Sequence, residues 1–207
     1  ETKAAGGTTL SGERAFQLYD KPDAGIWELR SRARIHTSSS LMCWAACDRL
    51  AKIANRLGET ERAQFWATRA GTIREAILDR AWSNDRKAFV ESFGGSKLDA
   101  SVLLLPELGL IEPNDPKFVS TLKAVDRELR REQHVMRYAG SDDFGLPETA
   151  FLICRFWLID ALWMTGQQDE ARDRFVDALK LRNRYGLLSE DVHPTSGALW
   201  GNFPQTY

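Results

Sequence analysis

Cysteine, histidine and net charge are all scarce in this sequence, and each shortage removes a class of function. The three cysteines make no disulfide framework. Cys43 and Cys47 stand one helical turn apart, and Cys154 lies far from both. A metal shared by Cys43 and Cys47 lacks the second pair or histidine cluster that completes tetrahedral zinc, and His36, His134 and His193 have no common spacing. The cysteines therefore read as small buried hydrophobes. The net charge of −1 offers no excess of cations to displace counterions from nucleic acid or to hold an anionic membrane. Neither is expected as a partner. Arg127, Arg130 and Arg131 alternate with Glu128 and Glu132, the pattern of a solvated helix face. No apolar run approaches the ~20 residues that cross a bilayer, and the first residues lack the basic region and apolar core of a signal peptide. The chain reads as soluble and cytoplasmic.

What remains is a sequence of 207 residues, 43% hydrophobic and 28% charged, enough for one sizeable core. Residues 1–10 are small and polar and read as loop. Residues 11–19 have the cap and spacing of a short helix, stopped by Asp20 to Pro22. Thr37 and the serines behind it supply an N-cap for a helix over 38–57 that is apolar on nearly every side in its first half, as an inner helix is. An amphipathic outer helix follows over 59–82. The pattern recurs as an apolar helix over 98–108 with an amphipathic one over 116–133, and again as 147–165 with 169–184. Repeats of loop, buried helix and amphipathic helix, about 50–55 residues long, predict an all-α fold of the α/α toroid type. Such a toroid needs about six helix pairs, and this chain supplies about half. Trp44, Trp66, Trp82, Trp157 and Trp163 fall on or near helices and are expected in the core.

Two stretches escape this pattern. Residues 186–207 hold three glycines, two prolines, the pair Glu190–Asp191 and aromatics that include Trp200, and read as an ordered loop. Residues 22–30 place Glu28 between Trp27 and an apolar Leu29, with Arg30 next. Two acid-bearing loops separated by helices suggest a site built from both. Asp142 and Asp143, between Gly140 and Gly145, lack the alternating oxygen ligands and closing glutamate of a calcium loop and read as rim.

At Gly25-Ile26-Trp27-Glu28-Leu29-Arg30, Met42-Cys43-Trp44, Phe93-Gly94-Gly95-Ser96-Lys97-Leu98-Asp99-Ala100-Ser101, Arg137-Tyr138, Ala150-Phe151-Leu152, Phe156-Trp157-Leu158 and Gly201-Asn202-Phe203-Pro204-Gln205, the sequence resembles glycoside hydrolase family 15. That family includes glucoamylases, glucodextranases and microbial trehalases. The resemblance implies the second half of one (α/α)6 catalytic barrel over 1–207, without the β-sandwich that precedes it in bacterial members. It implies an inverting hydrolase that releases β-glucose from a terminal α-linked glucosyl unit and needs no metal or cofactor. On the family's motifs the general acid lands on Glu28 and the general base on Glu190.

Inversion needs two carboxyl groups, one protonated to give its proton to the departing oxygen and one ionised to activate water from the opposite face. Ile26, Trp27 and Leu29 would shield the acid from water. Glu190, beside Asp191 and near His193, sits in a more polar stretch. By the same resemblance Arg137 with Tyr138 would hold sugar hydroxyls, Trp27 would face the pyranose ring, and Glu148 is a candidate for the same rim. Trp200, in the late loop, is a candidate either for sugar contact or for packing. Leu29 departs from the fungal members, which carry a carboxylate there, and points to the bacterial branch. The linkage, α-1,4, α-1,6 or α,α-1,1, stays open. The expected partner is an oligosaccharide or disaccharide. A half-barrel would also leave inner-helix flanks to be covered by the missing half or by self-association. The competing reading is a catalytically silent α/α domain that binds carbohydrate or a protein.

Overall fold

The computed structural model describes residues 2–29, 31–143 and 145–205, and divides into two compact units. The first comprises residues 1–83 with 91–95, the second 84–90 with 96–207.

The first unit is three helices, α1 (Thr2–Leu18), α2 (Thr37–Arg56) and α3 (Thr60–Arg80). Residues 2–10, expected as loop, continue α1 towards its start. The cap of α2 also differs from expectation. His36 occupies the N-cap without a side-chain bond, and Thr37 is already helical, its N–H donating to the Glu91 carbonyl at 2.9 Å. A main-chain acceptor here does what the serines were expected to do. Ser40 instead donates its hydroxyl to the carbonyls of Tyr19 and His36.

The short turn at 57–59 folds α3 back on α2. Leu41, Trp44, Cys47 and Ala54 of α2 pack with Trp66, Ala70, Ile73 and Ile77 of α3, the latter at the helical spacing of one apolar stripe. Arg69 of α3 lies over the rings of Phe65 at 3.5 Å and Phe16 at 4.9 Å, and reaches Glu13 at 3.8 Å, tying α1 to α3. The apolar surround of α2 is not buried throughout. Met42 and Ile53 are 45% and 53% exposed, so the helix is apolar beyond the stripe that α1 and α3 cover.

In the second unit the helix expected over 98–108 is shorter and tighter. Asp99 is extended (φ −141°) and accepts from the Ser101 N–H at 2.8 Å and hydroxyl at 2.6 Å, starting a 3-10 turn over Ala100–Leu103 that runs into α4 (Leu104–Glu107). Next comes α5 (Pro116–Leu129), capped by the Asp115 carboxylate on the Lys117 N–H with proline in the first turn. It ends before 133, because Arg130–Arg131 pairs antiparallel with His134–Val135 and the chain reverses with Glu132 at φ 52°. The arginine run is exposed as expected, but two of its members lie on this hairpin rather than on a helix.

The helix expected over 147–165 begins at Leu152: α6 is Leu152–Met164, and the two residues before it, Ala150–Phe151, form a strand. Its outer partner is α7 (Gln168–Ala178), followed by a 3-10 turn over Leu179–Leu181. The late loop, read as neither helix nor strand, contributes Asp191–Val192 and Leu199–Trp200. These complete a three-stranded antiparallel sheet with Ala150–Phe151 at one edge.

Phe118, Leu122, Val125, Leu129, Leu152 and Leu158 are buried in this unit. So is Arg155 of α6, whose guanidinium donates to Asp177 at 2.7 Å and to the Arg174 carbonyl at 3.1 Å on α7. Of the tryptophans expected in the core, Trp44 and Trp66 are buried, Trp82 and Trp157 half-buried, and Trp163 49% exposed at the end of α6. Cys47 and Cys154 are buried, and burial pushes both thiols up, Cys47 to about 11. They are inert packing groups. No helix among the described residues is long and apolar enough to cross a membrane.

Candidate active site

The late loop is organised by its own carboxylate. Glu190 is half-buried, and its Oε2 accepts two hydrogen bonds from one residue, the Asn202 main-chain N–H at 2.8 Å and the Asn202 amide at 2.8 Å. In return the Glu190 N–H donates to the Asn202 carbonyl at 2.9 Å, and the Glu190 carbonyl accepts from the first N–H of α6, that of Leu152, at 2.9 Å. The base candidate is thus clamped between the loop return and the head of α6. Two donors converging on one oxygen fix the position of the carboxylate.

Asp191 occupies the central strand, opposite Phe151 on one side and Trp200 on the other. Its Oδ2 accepts from the Thr149 hydroxyl at 3.2 Å, and its carbonyl from the Ser189 hydroxyl at 2.7 Å. Burial raises the Asp191 carboxyl above the ordinary aspartate range, Arg137 and Thr149 pull it down, and the neighbouring Glu190 raises it again. Strand alternation divides this region into two faces. Met136, Ala150 and Val192 pack inward with Leu152, whereas Arg137, Phe151, Asp191 and Trp200 belong to the other face.

On that face the Arg137 guanidinium lies 5.8 Å from the centre of the Phe151 ring. Its carbonyl accepts from the Ala100 N–H at 2.9 Å, and Tyr138 bridges to Asp99, so the Arg137–Tyr138 pair is anchored to the start of the 3-10 turn. The Tyr138 hydroxyl donates to Asp142 Oδ2 at 2.7 Å, and burial together with this bond pushes the phenol well up. Its proton is committed to Asp142, which leaves the oxygen as an acceptor. Trp200 is 55% exposed, on the sheet edge rather than in a core. Glu148 is exposed and precedes the Ala150–Phe151 strand instead of opening a helix.

Glu28 and Trp27 belong to the first unit. Residues 24–29 form a tight turn in which the Glu28 N–H donates to the Gly25 carbonyl at 3.1 Å and the Leu29 N–H to the Ala24 carbonyl at 2.9 Å. Asp23 and Arg34 close the loop as a bridge. Glu28 holds φ 54°, in the left-handed region that a residue with a side chain avoids. The shielding expected from its neighbours is incomplete: Glu28 is exposed, Ile26 is 40% exposed, and Trp27 and Leu29 are half-buried. Arg30 lies outside the described residues.

The second unit therefore gathers Glu190, Arg137, Tyr138 and Trp200 around the small sheet, while Glu28 and Trp27 share the turn of the first. Asn202 and Thr149 were not singled out from sequence, and Asp142 was read only as part of a rim loop. Asn202 sits in a motif that was recognised, but nothing in its identity says that both its donors converge on one carboxylate oxygen. A groove of about 620 Å³ lined by Phe156, Phe175, Arg182 and Gln205 holds none of the site residues. Among the described residues no group of histidine, cysteine, aspartate and glutamate is placed to hold a metal ion.

Comparison with known proteins places the chain in a family. The model of the glycosyl hydrolases family 15 matches residues 15–171. A trehalase of Mycobacterium tuberculosis is 38% identical over 198 residues, which is 94% of this chain and 29% of that protein. A trehalase of Thermoplasma volcanium is 34% identical over 189 residues, 91% of this chain and 30% of that protein. The chain thus spans about 30% of the length of these curated relatives. Among solved structures, a wild-type glycosidase superposes with a TM-score of 0.77 at 20% identity, over 92% of this chain and 51% of its own. A bacterial glucoamylase complexed with acarbose gives 0.65 at 19%, over 80% and 30%. These likenesses establish the fold, about half of an α/α toroid of paired helices. With the family model covering most of its length, the chain belongs to the glycosyl hydrolases of family 15.

Proposed function

We propose that this chain forms part of the single (α/α)6 catalytic domain of an inverting glycoside hydrolase that removes a terminal α-linked glucosyl unit. The observation that carries the reading is the double donation of Asn202 to Glu190 Oε2. A general base for inversion must be aimed, and two N–H donors on one oxygen hold the carboxylate in place. The other oxygen, Oε1, takes the proton of the attacking water, while Glu28 gives its proton to the departing glycosidic oxygen. The left-handed backbone at Glu28 supports that role, since backbone strain collects where a side chain must be aimed. Arg137 donates to sugar hydroxyls, and the ring of Trp27 faces the pyranose. Trp200 and Glu148 border the rim.

The relatives named trehalase make α,α-linked trehalose the first substrate to assay, ahead of α-1,4 and α-1,6 glucans. Inversion at trehalose gives one β-glucose from the attacked ring and one α-glucose from the leaving ring. The test is sugar release from trehalose, maltooligosaccharides and isomaltose, with the anomers followed by NMR. It is run on this chain and on a version extended to the length of the curated relatives, each beside Glu190→Gln and Glu28→Gln. We expect β-glucose as the first product from the glucans, β- and α-glucose in equal amounts from trehalose, and loss of release in both variants. Initial release of α-glucose without β-glucose would overturn inversion. A folded, extended protein that binds sugar and releases none would make this a silent carbohydrate-binding domain.

A further inference from the structure

We propose that Asp191 is a positioning residue for substrate binding, holding the Arg137 guanidinium on the sugar-facing side of the small sheet. The inference rests on the functional reading above and assigns a role to a carboxylate which that reading does not use. Three observations carry it. Asp191 and Phe151 are cross-strand partners, and the Arg137 guanidinium lies over the Phe151 ring, so both side chains occupy one face around one aromatic. The carboxylate cannot turn away, because Thr149 donates to Oδ2 while neighbouring strands pin the backbone on both sides. Its Oδ1 is buried and accepts no hydrogen bond among the described residues. That oxygen therefore acts through its charge on a nearby cation and not by touching substrate. Arg137 is near enough to influence the Asp191 carboxyl electrostatically.

A half-buried carboxylate directly after a catalytic one is costly, because the two repel. Arg137 offsets that repulsion, and Asp191 in turn restrains a long, flexible side chain that would otherwise lose entropy on meeting the sugar. The consequence falls on binding more than on the chemical step.

The experiment uses the version extended to the length of the curated relatives, with Asp191→Asn, which keeps shape and removes charge. Arg137→Ala and the double variant complete a cycle, and Glu190→Gln serves as control. We expect Asp191→Asn to raise KM about tenfold with kcat changed less than about threefold, and Arg137→Ala to add little on that background, because residues acting as one unit are non-additive. Thr149→Val, a milder change, should raise KM two- to threefold, and it keeps the question answerable if Asp191→Asn folds poorly. A KM within twofold of the parent in Asp191→Asn, or effects of Asp191→Asn and Arg137→Ala that multiply, would overturn the inference. Full activity in Glu190→Gln would instead sink the functional reading beneath it.

Discussion

Gly201 and Glu190 are in such close approach that a Cβ built on the glycine would stand 2.8 Å from Glu190 Oε2 and 2.9 Å from its Cβ. Gly201 also holds φ 77°, so a side chain there meets both backbone strain and the candidate base. Gly201→Ala is expected to displace the carboxylate from Asn202 and lower kcat about a hundredfold, the size of effect that a misplacement near 1 Å produces. Thermal unfolding should show a loss of about 1–3 kcal/mol. A variant with kcat within threefold of the parent would mean that the loop return does not aim Glu190.

Glu28 separates function from stability. Its left-handed backbone costs about 1–2 kcal/mol with a side chain present, and glycine would remove that cost against an entropic penalty of about 0.5–1 kcal/mol. Glu28→Gly is therefore expected to be up to about 1 kcal/mol more stable in urea denaturation while losing hydrolysis. Glu28→Gln should lose hydrolysis with stability unchanged. A destabilised Glu28→Gly would show that the side chain makes contacts that outweigh the strain.

His134 makes folding acid-sensitive. It is buried, and desolvation, reinforced by Arg155 and partly opposed by Asp177, lowers its pKa from 6.5 to about 4. Only the unfolded chain takes up the proton between these values. Stability is therefore complete above about 6.5 and falls as the pH drops towards 4, by up to roughly 3 kcal/mol at about 1.4 kcal/mol per unit. His134→Phe, which has no proton site, should flatten this part of the stability curve. Parallel curves for the two proteins between pH 7 and 4 would assign the acid sensitivity elsewhere.

Gly12 brings α1 close against its neighbours. A Cβ there would overlap Leu50 Cδ1 and stand 2.7 Å from Trp66 Cη2. Alanine usually stabilises a helix interior by about 1 kcal/mol relative to glycine. Overpacking should reverse the sign here, and Gly12→Ala is expected to cost about 1–3 kcal/mol in denaturant unfolding. A neutral or stabilised variant would mean that α1 packs less tightly than this geometry requires.

Helix pairing was readable from periodicity because each outer helix carries one stripe: Trp66, Ala70, Ile73 and Ile77 repeat at helical spacing whether or not a partner is known. The inner segments were harder. Residues 98–108 and 147–165 are apolar on nearly every side, so no single stripe marks where a helix begins. Asp99, which caps with its own side chain, and Ala150–Phe151, which pair with a strand some forty residues later, set the starts instead. The end of α5 at Leu129 was hidden for a similar reason: the residues beyond it suit a helix face and a hairpin equally.

By itself, then, the sequence determined the helical class, the alternation of buried and amphipathic helices, and the family motifs that carry Glu28, Glu190, Arg137 and Tyr138. These follow from local spacing and residue type, which are written along the chain. Only the tertiary structure decided that Asn202 closes on Glu190, that Tyr138 commits its proton to Asp142, and that Asp191 shares a face with Arg137 across Phe151. Such relationships depend on strand register and on the direction of single donors. Pairings between distant segments are selected by the packing of the whole unit, which no local pattern encodes.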